Sequence, residues 1–409
     1  MGGQEQSSDT IKIGVLADLD GPQGSGVWRS AVLAAEQINT EGGILGKQVE
    51  VIGEDSDSES GADINVINSA LTRLLTYHKV DYVIGSALGE FGFMFQDTTA
   101  THETIYITIA GNLDELTQRV EDDYDKYKYY FRYQPANNTQ IFTALVDELL
   151  HAREIMDFNK VGYIAEDHVW TKSTIEQFDQ LLAEVYGFDL VYKGTFPPFD
   201  TFDFSSYFAA AESSGVEILI PLIYFDNGVA FIKEYYDRQS PMIVYGGIIN
   251  AAGSGESWEQ TDGKCEYIAT LVHIISAGYP LTSETLAFRD SYIDRWGKTP
   301  LFLGAAAFDI IRFVLPDALG RAGTTETEAV IESLEDTNVE TSLARNFVFT
   351  SNHDVLYREG MLSNPDDYGH PSELFQWTEN ATLVPIYPKW LMEEAEATYT
   401  YPDWPGPWD

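Results

Sequence analysis

Short apolar runs bounded by loop residues alternate along this chain with longer segments whose apolar residues recur every three to four positions. Residues 11–16, Ile-Lys-Ile-Gly-Val-Leu, read as a strand covered on both faces and ended by Asp18, Asp20, Gly21 and Pro22. From 27 to 38, Ala31, Ala34, Ala35 and Ile38 share a helical face, and Asn39 with Gly42 and Gly43 stops the helix. Residues 49–52 form a second strand, Ile64, Ile67, Leu71 and Leu74 the core face of a second helix, and 81–85 a third strand. This uninterrupted βαβαβ order predicts a parallel half-sheet, where small ligands bind outside the carboxyl ends of the strands. Those ends fall at 19–26, 54–60 and 86–92.

The alternation continues with a helix over 89–102 and a fourth strand over 104–109, and Arg132 to Pro135 form a crossing into a second domain. There the pattern restarts: helix 141–150, strand 161–165, helix 174–186, strand 190–193, helix 204–213, strand 218–222, helix 228–238 and strand 242–245. The glycines between 246 and 255 suggest a second crossing, which returns the chain to domain one for 267–275 and the helices 285–296 and 303–319. A third crossing near 342–347 leaves 347–350, 374–377 and 382–388 to complete domain two. The expected division is a polar tether 1–9, domain one from 10–133 plus 254–342, domain two from 134–253 plus 343–398, and an extended tail 399–409. At 409 residues, two domains are also what chain length favours.

Charge changes the picture of partners. Sixty-five acidic against 24 basic residues give a net charge of −41, spread over the whole length, which disfavours nucleic acid and anionic membrane surfaces. The pattern resembles proteins adapted to molar salt, where a Debye length of about 3 Å screens such self-repulsion. The single cysteine, Cys265, permits no internal disulfide and reads as a buried thiol. No apolar run reaches the roughly 20 residues of a membrane span.

Catalytic patterns are absent: there is no G-x-S-x-G elbow, strand-following GxGxxG, P-loop or HExxH, and the seven histidines are scattered. No cofactor is implied, and an enzyme is the least favoured class. Asp55-x-Asp57-x-Glu59-x-Gly61 has the odd-position carboxylates of a calcium loop, but Val66 stands where the closing glutamate would be. A solvated loop capping the next helix is the simpler reading.

The order GVL…GP…AAEQIN.EGGILG…V…D…A…L…V..VIG followed by ITIAG is similar to the extracellular solute-binding proteins of branched-chain-amino-acid-type ABC transporters. The resemblance continues at 161–172, at 302–315 with AAAFD, and in FVFTSNHDVLYREG followed by LFQW and VPIYP. It implies two Rossmann-like, doubly wound α/β domains joined by a three-crossing hinge, the Venus-flytrap or type I periplasmic-binding fold. It further implies a monomer outside the cell membrane, held by a lipid anchor on a residue preceding this sequence. Its partners would be a small-molecule ligand and an ABC permease.

By the same resemblance, Ala87, Leu88, Gly89 and Glu90 correspond to the loop that grips a ligand carboxylate through a hydroxyl and backbone N–H groups. Gly89 replaces the family's serine, and Glu90 either stabilises a helix dipole in water or faces the ligand and favours a cation or amide donor. Ala110, Gly111 and Asn112 match the small-residue loop after strand four, with an amide able to donate and accept. Trp170 and Tyr224 fall where aromatic lid residues are found, with core packing as the alternative. Ile248 occupies the place of an acidic partner for a ligand ammonium, with Asn250 nearby. Gln23 to Trp28 and Phe302-Leu303 either line the side-chain end of the ligand or pack internally. A free α-amino acid, whose two charges each need a partner when buried, fits these substitutions poorly. The expectation is therefore an importer component for an amino-acid-like or amide-bearing solute, with a sensory ectodomain or regulator as the alternative.

Overall fold

The computed structural model describes residues 10–57, 63–85, 91–134, 136–225, 227–271, 274–356 and 373–408. The chain forms two compact units. It passes from the first to the second at Ala136–Asn137, returns at Pro280–Leu281, and leaves again after Leu356.

The first unit is built on a parallel sheet, β1 (Thr10–Ala17), β2 (Gln48–Asp55), β3 (Tyr82–Gly85), β4 (Ile105–Thr108) and β5 (Tyr130–Arg132), in the order β2-β1-β3-β4-β5. Helices cover both faces, so the central strands lose their polar alternation: Ile13, Val15, Leu16 and Ala17 are wholly buried, as are Val83, Ile84 and Ile107. Register aligns the carboxyl ends, pairing Ala17 with Asp55 and Gly85 with Thr108. Asp55 then clips two loops together, its Oδ1 accepting the amides of Leu19 (3.2 Å) and Asp57 (3.1 Å). The cap of the next helix, Ile64–Arg73, is Asp63, which accepts the Asn65 amide. Among the described residues no cluster of acidic, His or Cys side chains is arranged to hold a metal; Glu59 and Gly61 lie outside them.

The second unit opens with the helix Asn138–Met156, whose start is fixed by a reciprocal capping box between Asn137 and Gln140. Its parallel sheet comprises β6 (Lys160–Glu166), β7 (Asp189–Phe196), β8 (Ile218–Ile223), β9 (Ile243–Val244) and β10 (Ile248–Ile249). The order is β10-β8-β6-β7, with β9 also paired to β8. A separate antiparallel sheet joins β11 (Ala269–Leu271), β12 (Leu374–Thr378) and β13 (Thr382–Tyr387).

Two segments fall in units other than those the alternation suggests. Residues 254–280, expected in domain one, belong to the second unit, because β11 pairs with β12 and Tyr267 and Ile268 enter its core. Residues 343–356, expected in domain two, belong to the first. They lie along β5, where Arg132 donates its amide to the His353 carbonyl and the rings of Phe347 and Phe349 pack on Tyr133 and Phe131. Ser342 and Leu343 are held by the buried Asp309 carboxylate, which accepts both their amides and the Tyr133 hydroxyl. The glycines at 246 and 247 are turns within the second unit rather than a passage between units.

The helix expected over 303–319 is interrupted: Phe302–Asp309 passes through a π turn, Ile310–Val314, before Leu315–Ala322. Pro316, which cannot donate an amide, follows the π turn directly, where α-helical bonding resumes. The tail from Tyr399 onward has no helix or strand among its described residues but is docked. Gln376 donates to the Thr400 carbonyl and accepts the Thr400 amide, and the Trp404 indole is buried.

Candidate functional site

In the first unit, β1 ends at Ala17 and the Asp18 carboxylate accepts the Gly21 amide (2.9 Å). The helix Pro22–Thr40 follows at once, five residues earlier than its apolar pattern indicates. Proline suits its first turn, and Gly24 is required there, because a Cβ would lie 2.0 Å from the Asp18 carbonyl oxygen. Gln23 to Trp28 therefore form helical turns rather than a loop. Gln23 is buried, and the Trp28 ring lies over Gly53 of β2, within 3.0 Å of where a Cβ would stand.

The helix Phe302–Asp309 crosses this segment closely. A Cβ on Gly304 would stand 2.8 Å from the Ser30 hydroxyl and 3.0 Å from the Gly26 carbonyl, so the crossing depends on glycine. Phe302 and Leu303 are thereby brought beside the Gln23–Trp28 turns, and the Phe302 carbonyl accepts the side-chain amide of Gln134 (3.2 Å). At the end of β4, Thr108 and Ala110 bond reciprocally through the threonine hydroxyl, Gly111 takes φ +107°, and Asn112 is buried. Ala87, Leu88, Gly89 and Glu90 lie outside the described residues.

In the second unit, Trp170 and Tyr224 are joined by a residue the sequence did not single out. Glu166, the last residue of β6, is wholly buried. Its Oε2 accepts the Trp170 indole N–H at 2.8 Å, and its Oε1 accepts the amides of Tyr224 and Phe225, each at 2.9 Å. Burial pushes its pKa up to about 7, against the opposing pull of these three donors. Its backbone carbonyl also accepts the Thr171 hydroxyl and the His168 amide, tying down the start of the helix Val169–Leu181.

Trp170 and Tyr224 are both half-buried, and Trp170 also packs against the core beneath. The rings continue outward: Tyr224 meets Phe225 at 5.4 Å, and Phe225 meets His168 (5.4 Å) and the exposed Phe199 (4.6 Å). Ile248 sits half-buried in β10, paired with Leu222 of β8, and Asn250 opens the short turn Asn250–Ala252. A carboxylate four residues before a tryptophan, at the end of an apolar strand, was the available signal for Glu166. Phe225 had none beyond its place after β8.

Each unit thus gathers polar, small and aromatic side chains at the carboxyl ends of parallel strands. A family model described as periplasmic binding protein matches residues 10–362. The chain belongs to the periplasmic binding protein family. Among curated relatives of this periplasmic binding protein, Leu/Ile/Val-binding protein homolog 7 of Brucella abortus is 22% identical, with 94% of this chain and 93% of the relative covered. Among solved structures, one assigned to a branched-chain amino acid ABC transporter of Silicibacter pomeroyi superposes with TM-score 0.82 at 18% identity, covering 98% and 100% of the two chains. The branched-chain amino acid transporter substrate-binding protein of Streptococcus pneumoniae, in complex with isoleucine, gives 0.72 at 19% identity, covering 92% and 99%. At these identities the solved structures bear on the fold, two α/β units on parallel sheets. A periplasmic binding protein binds a solute and performs no reaction on it.

Proposed function

We propose that this chain is the extracellular solute-binding component of an ABC importer, capturing a small amino-acid-like or amide-bearing ligand and presenting it to a membrane permease. The carrying observation is the placement of side chains at the strand ends. The first unit places Gln23 at the start of the helix after β1 and Asn112 after the small-residue loop Ala110-Gly111 that follows β4, and the second holds Trp170 and Tyr224 on Glu166. Amides donate and accept, and aromatic rings cover apolar or flat groups while excluding water. The names of the relatives, Leu/Ile/Val-binding and isoleucine-bound, support a ligand of amino-acid size.

The head group is where this chain departs from a simple leucine binder. Ile248 brings no carboxylate to β10, and the Glu166 carboxylate is turned into the protein and occupied by three N–H donors. A ligand ammonium would have to find its partner elsewhere, which favours amides and related neutral head groups. Family membership places such a protein outside the cytoplasm, and the reading includes a monomer with a strongly acidic surface adapted to high salt.

Thermal unfolding in about 2–3 M KCl, where surface charge is screened, tests the reading against amino acids, amides, guanidino compounds, short carboxylates and aromatic acids. A ligand at 100 times its Kd stabilises the fold by about 2.7 kcal/mol. The expected hits are amides. A response to leucine or valine alone overturns the head-group assignment, and no response to any of the panel counts against solute capture.

A further inference from the structure

We propose that Glu166 is the positioning residue of the ligand wall in the second unit, holding the Trp170 indole and the Tyr224–Phe225 backbone in one arrangement through its two carboxylate oxygens. The proposal rests on the solute-capture reading for what the wall does, and on the geometry alone for what holds it.

The geometry is that of a divided acceptor. Oε2 serves the side chain of the helix Val169–Leu181, and Oε1 serves two successive amides after β8. The segment that leaves β6 and the segment that leaves β8 are thereby locked together at the end of β6. All three contacts are N–H donors, so the arrangement suits a carboxylate with no proton of its own. Oε1 has both lone-pair sites occupied by amides, so a proton enters at Oε2 and weakens the bond that oxygen accepts from the indole. With the group's pKa pushed up to about 7 by burial, this weakening falls within the neutral range. Among the described residues, the groups that bond the Glu166 carboxylate from the neighbouring elements are the indole and the two amides, none of which titrates there. His168, on the same loop, sets its ring against Phe225, and Asp167 is exposed with its amide bonded to the Phe196 carbonyl of β7.

The consequence for binding is directional. Above neutral pH the ionised carboxylate holds the wall ready, so little ordering remains to be done when a ligand arrives. Below it, the indole contact is weakened, the wall loosens and affinity falls. For stability the sign is opposite: a folded-state pKa raised above the ordinary carboxylate value favours the folded chain at low pH, and that contribution is lost as pH rises through about 7.

The test uses protein labelled with 5-fluorotryptophan, in which the Trp170 resonance is identified by its loss in Trp170→Phe. In the unsubstituted protein without ligand, that fluorine resonance should shift with pH with a midpoint near 7. In Glu166→Gln, which keeps the size of the side chain but cannot ionise, it should not titrate. Kd for the best ligand of the panel should then weaken several-fold from pH 8 to pH 6 in the unsubstituted protein and lose that dependence in Glu166→Gln. A Trp170 resonance that ignores pH, or that titrates equally in Glu166→Gln, overturns the proposal. If the resonance behaves as expected while no panel ligand binds, the positioning stands and the importer reading fails. Should Glu166→Gln not fold, Trp170→Phe, which removes the indole donor on Oε2 together with part of the ring, should reduce the pH dependence of Kd; an unaltered dependence again overturns the proposal.

Discussion

Trp404→Ala is expected to destabilise the second unit by about 3–5 kcal/mol, the cost of removing a buried tryptophan from a packed core. Trp404 stands in a segment without helix or strand and would pass for a dispensable tail. It is nevertheless buried against Tyr235, Tyr236 and Tyr267, with ring centroids 5.6, 5.5 and 5.3 Å away. Its indole N–H donates to the Ser240 carbonyl at 2.9 Å, anchoring the tail to the turn that follows the helix Gly228–Arg238. Alanine removes the ring contacts, opens a cavity and leaves that carbonyl only the bond it accepts from the Met242 amide. Trp404→Phe keeps much of the apolar contact and should cost markedly less. Urea unfolding checks this through a lowered midpoint at unchanged m-value. A loss below about 1 kcal/mol for the alanine variant would show that the tail merely rests on the surface.

Asp354→Ala is expected to cost a comparable amount, about 3–5 kcal/mol, by leaving a buried guanidinium without its counter-charge. Arg132 is wholly buried at the end of β5. One of its terminal nitrogens donates to the Leu113 carbonyl at 2.6 Å, and the other lies 3.4 Å from the Asp354 carboxylate. Asp354 is itself held by the Thr117 hydroxyl and the Val355 amide. The pair joins the loop after β4 to the segment that runs along β5, just before the chain leaves the first unit. Removing one charge is therefore worse than removing both: Arg132→Met combined with Asp354→Leu should recover part of the loss seen in Asp354→Ala. Equal or greater loss in the double variant would show that shape, not charge, decides this position.

The buried apolar runs 11–16, 161–165 and 218–222 were legible because a strand covered on both faces has no polar alternation to confuse it with anything but a core element. What such runs do not carry is the identity of the sheet they join. For that reason 269–271 and 347–350 were placed in the wrong units: the first pairs through its backbone with β12, and the second is held by contacts to Phe131 and Tyr133 far away in sequence. The early start of the helix at Pro22 was hidden by a Gly-Pro-Gln-Gly-Ser-Gly stretch that reads as loop, although proline favours a first helical turn and Gly24 permits the contact with Asp18.

The candidate site was legible in part for the same reason. Trp170 and Tyr224 stand out as aromatic residues after strand ends. Glu166 does not, since two of its three partners are backbone amides that every residue but proline possesses. Its role becomes visible only when β6 and β8 are seen side by side.

Solute capture against the wall that Glu166 holds in the second unit is tested most directly by calorimetric titration of the best panel ligand into the unsubstituted protein and Trp170→Ala, each first shown to unfold cooperatively without ligand. The expected result is a single site per chain and at least a tenfold weakening in Trp170→Ala, about 1.4 kcal/mol. Unchanged affinity in Trp170→Ala would contradict it.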